Sequence, residues 1–117
     1  MRISRFFILL ALVCVFFSST AVARDVLTTI TNNTGKTMNY LYISTSGNNS
    51  WEDDILGVEN LGIRTLEHGY YCEFLIDDSY SWDLRAEFRG GAYQEYYNID
   101  FKNCTHITLN KNDATCE

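Results

Sequence analysis

Short segments that alternate apolar and polar residues recur along this chain, and they restrict it to β structure. In Tyr80–Phe88 every second residue is apolar, and Ser81, Asp83, Arg85 and Glu87 lie between them. A period of two is that of a strand with one buried face. No stretch after residue 23 keeps the 3.6-residue apolar period of a helix for three turns. The chain also has no proline.

The same pattern, divided by Gly, Asn and Asp turn signals, predicts the other strands. We expect Ile55–Leu66 to be one irregular strand, and the nearly all-apolar Tyr70–Ile76 to be buried on both faces. About seven short strands in a chain of this length predict an all-β fold. A small antiparallel β-sandwich is favoured and a small barrel is the second possibility. The predicted strands are Asp25–Thr31, Thr37–Thr45, Ile55–Leu66, Tyr70–Ile76, Tyr80–Arg89, Ala92–Phe101 and Cys104–Leu109.

The first residues have the three parts of a secretory signal peptide. Arg2 and Arg5 supply the positive start, Phe6–Phe17 is an apolar run, and Ala21-Val22-Ala23 fits signal peptidase. The apolar run has twelve residues, whereas a membrane-spanning helix needs about 20. We therefore predict a cleaved signal helix at residues 1–23, a single domain at 24–117, and a secreted or periplasmic location.

Charge excludes some classes of partner. Cleavage would remove Arg2 and Arg5, so seven basic residues would face fifteen acidic ones, a net charge of −8. Phosphates would repel such a domain, which argues against nucleic acid. Anionic membrane surfaces are disfavoured for the same reason, and no stable membrane insertion is expected after cleavage.

Three cysteines follow the signal peptide: Cys72, Cys104 and Cys116. Their spacings fit no zinc motif, and in an oxidising compartment they allow one disulfide. The expected strand directions place Cys72 and Cys104 at opposite ends of the sandwich, while a turn after Leu109 brings Cys116 back toward Cys104. We predict a Cys104–Cys116 bond. A Cys72–Cys104 bond is the alternative if the two sheets bring those strands face to face.

Catalytic signatures are missing from the sequence. The two histidines, His68 and His106, have no serine or cysteine beside them in a nucleophile motif, and no Gly-x-Ser-x-Gly occurs. Cys72 lies inside an apolar strand, where a thiol is usually inert. The sequence therefore predicts a protein that is not an enzyme and needs no cofactor, with calcium the one exception considered.

Two acidic groups are expected at the same end of the sandwich. Glu52, Asp53 and Asp54 precede one predicted strand, and Asp77 and Asp78 end another. Oxygen ligands from several loops are what calcium requires, so these five residues form a candidate metal site. Acidic residues are also ordinary in turns, and the spaced pattern of a calcium-binding loop is missing.

Aromatic residues suggest a contact surface. Trp51, in a polar loop, forms with Asp53 and Asp54 the candidate partner-binding residues, and exposed tyrosines could add to them. One member of each doublet, Tyr70-Tyr71 and Tyr96-Tyr97, should face outward.

The leading functional hypothesis is an exported binding module that recognises a protein or glycan partner. The alternatives are a calcium-stabilised structural module and an inhibitor or immunity-type protein that blocks a hydrolase with the Ser46–Asp54 loop. Three N-glycosylation sequons, at Asn32, Asn48 and Asn103, are all expected in loops.

Five segments carry one further pattern, and they are Asn32–Gly35, Leu41–Ser44, Ser46–Gly57, Asp83–Arg85 and Ile99–Phe101. Together they resemble a group of small exported bacterial proteins that are uncharacterised and all-β. The resemblance covers most of the domain and implies a bacterial secreted or periplasmic setting, without an activity. Members often carry a cysteine just before Asp-Leu-Arg, where this chain has Ser79–Trp82, so no disulfide is carried over from them.

Overall fold

The computed structural model of the protein describes residues 25–117. The predicted signal peptide, residues 1–23, lies outside this range. Within it there are eight strands and no helix. The strands are β1 (Asp25–Asn33), β2 (Met38–Thr45), β3 (Asp53–Asp54), β4 (Tyr71–Asp77), β5 (Trp82–Phe88), β6 (Tyr93–Ile99), β7 (His106–Asn110) and β8 (Ala114–Cys116).

The strands form two four-stranded sheets. The β1 sheet has the order β4-β1-β7-β8, and the β2 sheet has the order β3-β2-β5-β6. The pairings are antiparallel, except that β1 and β7 run parallel. The predicted all-β sandwich is confirmed, with eight strands where the sequence predicted about seven.

Apolar side chains from both sheets meet in one core. Ile30 of β1 and Leu41 and Leu84 of the β2 sheet are fully buried in it. Hydrogen bonds also cross between the sheets; for example, the Tyr96 hydroxyl of β6 donates to the Asn110 carbonyl of β7 at 2.6 Å. The two sheets are therefore joined by packing and by hydrogen bonds.

Strand β5 follows the predicted alternation. Leu84, Ala86 and Phe88 are buried, as expected for one inward face. Tyr80 was expected on that face, but it precedes the strand and is 54% exposed. Asp83 was expected on the outer, solvated face and is instead buried, because neighbouring loops cover it.

A bulge in β2 decides which of its side chains face outward. The pairing with β5 shifts register between Met38 and Tyr40. Met38 therefore joins Leu41 and Ile43 in the core, although regular alternation along the strand would place it on the opposite face from them. Tyr40 and Tyr42 point away from the core, as the alternation predicted, and Tyr40 is 46% exposed.

The prediction that Tyr70–Ile76 is buried on both faces is wrong. Strand β4 lies at the edge of its sheet, and only its inward face is covered. Cys72 and Ile76 are buried, whereas Tyr71 and Leu75 are about 60% exposed. Tyr70 precedes the strand and is 63% exposed, so both members of this doublet face solvent.

The segment Ile55–Leu66 is a loop, not a strand. Turns and a bend occupy residues 55–61, and Gly62 and Arg64 lie in the left-handed region at φ of 71° each. At its end Leu66 forms an isolated bridge with Met38. The segment still descends beside β2, from Asp53 opposite Ile43 to Leu66 opposite Met38, so the strand directions that follow are those expected.

The predicted Cys104–Cys116 disulfide is confirmed, with the two Cα atoms 5.6 Å apart. Cys72 is a buried free thiol. The tail turns after Asn110 and returns as β8, which pairs antiparallel with β7 and brings Cys116 beside Ile107.

Asn32 is not in a loop, and the expectation for this sequon is wrong. It lies in β1 and is fully buried. Its Nδ2 donates to the carbonyls of Lys36 at 2.8 Å and Leu66 at 2.7 Å. Asn48 and Asn103 are exposed and lie outside the strands, as expected.

Candidate functional site

Four tyrosines project from the outer side of the β2 sheet. Strand pairing places them around one arginine, since Tyr42 is opposite Arg85 and Arg85 is opposite Glu95. Glu87 pairs with Tyr40 on one side and with Tyr93 on the other. We call this surface the tyrosine face, and it consists of Tyr40, Tyr42, Arg85, Glu87, Tyr93, Glu95 and Tyr97.

Arg85 is the electrostatic centre of the tyrosine face. Its Nη1 lies 2.6 Å from Glu95 Oε2 and its Nε lies 3.0 Å from Glu87 Oε2. Its guanidinium carbon also lies 3.8 Å from the ring centroid of Tyr93, a cation–π contact. Desolvation lowers the pKa of Arg85, but the hydrogen bonds that its guanidinium donates to Glu95 and Glu87 outweigh desolvation and leave this pKa raised. The arginine therefore stays charged and holds its neighbours in place.

The tyrosine rings are held by one another and by these charges. The rings of Tyr40 and Tyr42 are stacked, with centroids 5.5 Å apart and planes inclined by 6°. The Tyr97 hydroxyl donates to Glu95, and this hydrogen bond raises the pKa of Tyr97. Burial and then the charge of Glu87 raise the pKa of Tyr42. These phenols remain neutral donors at physiological pH.

The surface is exposed as well as ordered. Tyr93 and Tyr97 are each 56% exposed and Tyr40 is 46% exposed, although all three lie on paired strands. Ordered aromatic side chains that keep half of their area in water lose little entropy when a partner covers them. The tyrosine face can therefore bind a partner with little rearrangement.

A second concave surface lies between the edge strands β3 and β4. We call it the acidic groove; its volume is about 260 Å³. Residues from both sheets line it, and the Trp82 indole closes one end by donating to the Asp77 carbonyl at 2.8 Å. The residues that define it here are Ile43, Asp53, Phe74, Ile76, Asp77 and Trp82.

The acidic groove brings together one residue from each predicted acidic group. Asp53 and Asp77 both line it, although they are distant in sequence. The Ser79 side chain and backbone N–H hydrogen-bond to Asp77 and lower the pKa of its carboxyl. Of the other residues proposed as metal ligands, Glu52 is exposed and Asp78 is buried.

Asp54 has a structural role in the loop. Its Oδ1 accepts the Leu41 N–H at 2.9 Å and the Leu56 N–H at 3.1 Å. The carboxylate thus takes the place of a strand carbonyl where β3 ends. Trp51, which was expected to be the main contact residue, is half-buried beside the exposed Glu52.

The described residues do not assemble a metal centre, and the two histidines lie apart from both surfaces. Within residues 25–117 no group of three or more His, Cys, Asp and Glu side chains could hold a metal ion. His68 accepts a hydrogen bond from the Gly35 N–H through Nδ1, while His106 lies on the β1 sheet. Neither histidine lines the acidic groove or the tyrosine face.

The tyrosine face was not predicted from the sequence as a single surface. A signal for it exists in the alternation of Tyr40 with Tyr42 and of Tyr93 with Glu95 and Tyr97. That signal places each set on one face of its own strand. It does not say that β5 lies between the two strands and adds Arg85 to the same surface.

An all-β sandwich with one disulfide, a tyrosine face and an acidic groove is the class of protein that the described residues define. The chain matches no protein-family model, and no curated protein or solved structure matches it. In residues 25–117 no helix is long and apolar enough to cross a membrane.

Proposed function

We propose that this protein is an exported, non-enzymatic binding module that recognises a partner protein through the tyrosine face. The observation that supports this proposal is the set of half-exposed tyrosines ordered around Arg85 on one sheet. Tyrosine and arginine are the residue types most enriched in interface hot spots. Their apolar rings contribute buried area, and their hydroxyl and guanidinium groups supply directional hydrogen bonds.

A protein partner is favoured over a glycan by the orientation of the rings. Sugars stack on open aromatic faces, but Tyr40 and Tyr42 cover one face of each other. The Arg85 guanidinium covers a face of Tyr93 in the same way. The ring edges, the hydroxyl groups and the remaining ring faces are left for a partner, and this combination suits the mixed chemistry of a protein surface.

The proposed surface differs from the one that the sequence suggested. The Asp54 carboxylate already accepts two backbone N–H groups, and Trp51 is half-buried. The Ser46–Asp54 loop of the inhibitor hypothesis is fastened locally, with the Asn48 N–H bound to the Thr45 carbonyl. Neither the inhibitor nor the calcium hypothesis gains a supporting contact from the described residues.

A matched pair of double variants tests the tyrosine face. Tyr40→Ser/Tyr93→Ser removes two rings that are 46% and 56% exposed from this surface, and Tyr70→Ser/Tyr71→Ser removes two rings elsewhere that are 63% and 61% exposed. The wild type and both variants are immobilised and exposed to the extracellular and envelope fractions of the organism of origin. We expect a protein that the wild type and the Tyr70/Tyr71 variant retain and the Tyr40/Tyr93 variant loses.

The affinity for that protein is then measured with purified components. Loss of two hot-spot tyrosines should weaken binding by about 100-fold or more. Equal retention by all three proteins would contradict the proposal. A ligand set that consists only of glycans, found on a glycan array and lost in the Tyr40/Tyr93 variant, would replace the protein partner by a sugar.

A further inference from the structure

Strand β4 has an open side. Within residues 25–117 it pairs only with β1. Thr28 Oγ1 donates to the Phe74 carbonyl and the Asn32 N–H donates to the Tyr70 carbonyl, so even-numbered residues direct their backbone groups toward β1. Successive residues of a strand direct their N–H and C=O groups to opposite sides. The backbone groups of Tyr71, Glu73 and Leu75 therefore point away from β1, toward the open side.

The acidic groove continues inward from this open side. Strand β3 has only two residues, so it covers little of the space beside β4. Phe74 is partly exposed there, and Ile43 and Trp82 form the opposite wall. An added strand would therefore meet an apolar recess on its inner side.

The outer side of the edge is apolar as well. Leu75 pairs with Leu27 across the strands, and they are 59% and 54% exposed. Strand edges in native proteins are usually protected by charges, proline or a covering segment. An exposed leucine pair beside unpaired backbone groups is the arrangement that strand addition uses.

The negative charge at this edge indicates which kind of partner segment would bind there. Asp53 and Asp77 line the groove, and none of its lining residues is basic. A second copy of the chain fits poorly. Antiparallel β4–β4 pairing centred on Glu73 would place two Glu73 carboxylates opposite one another, and like charges in that position destabilise a sheet.

We infer that the β4 edge binds an extended segment of a partner protein that alternates apolar with basic residues and adds to the β1 sheet as a strand. The backbone groups of Tyr71, Glu73 and Leu75 pair with it. Its apolar residues enter the groove over Phe74, and its basic residues approach Asp53 and Asp77. This surface is separate from the tyrosine face and does not depend on the proposed function.

A synthetic peptide of about eight residues that alternates valine with lysine is the probe. The protein, with its disulfide intact, is titrated with this peptide, and a second peptide with glutamate in place of lysine is the control. We expect the lysine peptide to bind below about 1 mM and the glutamate peptide at least about tenfold more weakly. Absence of saturable binding at about 1 mM would overturn the inference.

Two variants of Leu75 separate backbone pairing from side-chain contact. Leu75→Pro removes an outward N–H without removing a bond to β1, since proline is tolerated at that position of an edge strand. We expect it to weaken peptide binding about tenfold, and Leu75→Ala to weaken it about threefold. Equal affinity of the two variants, with circular dichroism showing that both are folded, would refute strand addition.

Charge is tested with Asp53→Asn/Asp77→Asn, which preserves side-chain size. Peptide binding should weaken about three- to tenfold and lose most of its dependence on salt. An unchanged affinity would refute the role given to these carboxylates.

Amide hydrogen exchange gives a readout on the wild type that needs no variant. The peptide should slow exchange at Tyr71, Glu73 and Leu75 by about tenfold or more and leave the β6 edge residues Tyr93 and Tyr97 unchanged. Protection confined to β6 would overturn the inference. So would a concentration-dependent dimer that Leu75→Pro abolishes, because the occupant would then be a second copy.

Discussion

Replacing Asp83 by alanine should strongly destabilise the sandwich. Asp83 is 2% exposed, and its carboxylate accepts three hydrogen bonds. Oδ1 accepts from the Ser46 hydroxyl and the Asn98 N–H, both at 2.9 Å. Oδ2 accepts from the Gly47 N–H at 3.2 Å. One carboxylate thus ties the loop after β2 to the end of β6.

The expected loss in the free energy of unfolding follows from those three hydrogen bonds. At about 1 kcal/mol net for each, alanine should lower the free energy of unfolding by about 3 kcal/mol. Domains of this size have about 5–10 kcal/mol in total, and the melting temperature should fall by about 12–24 °C. Asp83→Asn keeps an acceptor for Ser46 and Asn98 but turns an N–H₂ group toward the Gly47 N–H. It should cost about 1–2 kcal/mol.

Urea unfolding followed by tryptophan fluorescence measures these differences, with the disulfide intact in every variant. Asp25→Ala is the control, because Asp25 is also a strand aspartate but is exposed. It should change stability by less than about 0.5 kcal/mol. The reasoning is refuted if Asp83→Ala costs no more than Asp25→Ala.

Four further predictions follow from contacts elsewhere. Cys104→Ala/Cys116→Ala should lower the free energy of unfolding by about 3 kcal/mol in urea; a loss below about 1 kcal/mol would contradict the chain-entropy reasoning. Burial raises the pKa of the Cys72 thiol to about 11, so this thiol should react with a disulfide reagent at pH 8 only in urea. The buried neutral thiol contributes its full stabilisation at any pH below the pKa that it has in the unfolded chain. This contribution is lost as the pH rises toward 11, the pKa of the thiol in the folded protein. Tyr96→Phe, which removes the hydrogen bond to Asn110, should cost about 1 kcal/mol by thermal melting. The calcium hypothesis predicts that excess calcium raises the melting temperature, and a value equal to that at matched ionic strength would contradict it.

The local pattern predicted most strands because a period of two reports which side of a strand is buried. Leu84, Ala86 and Phe88 were placed in the core on that ground alone, and they lie there. The same reasoning failed for Tyr70–Ile76, since an apolar run does not show whether a second layer covers its outer face. Strand β4 is an edge strand, and only the order of strands in the sheet decides that.

The candidate site was less predictable than the fold. Asp53 and Asp77 meet in one groove, as the count of strand directions indicated. Asp54, next to Asp53 in sequence, is instead bound by backbone N–H groups where β3 ends. Adjacent acidic residues are indistinguishable by composition, and the hydrogen bonds that separate their roles come from residues distant in sequence.

The sequence by itself determined the all-β class and most of the turns that divide the strands, because these depend on local period and turn residues, and it favoured the pairing of Cys104 with Cys116 over that of Cys72 with Cys104. Only the tertiary structure decided that β1 and β7 run parallel, that Asp83 is buried, and that tyrosines from β2 and β6 share a surface with Arg85. Each of these results depends on which strands become neighbours. The free energy that selects the neighbours comes from burial of the whole core, and no single segment carries it.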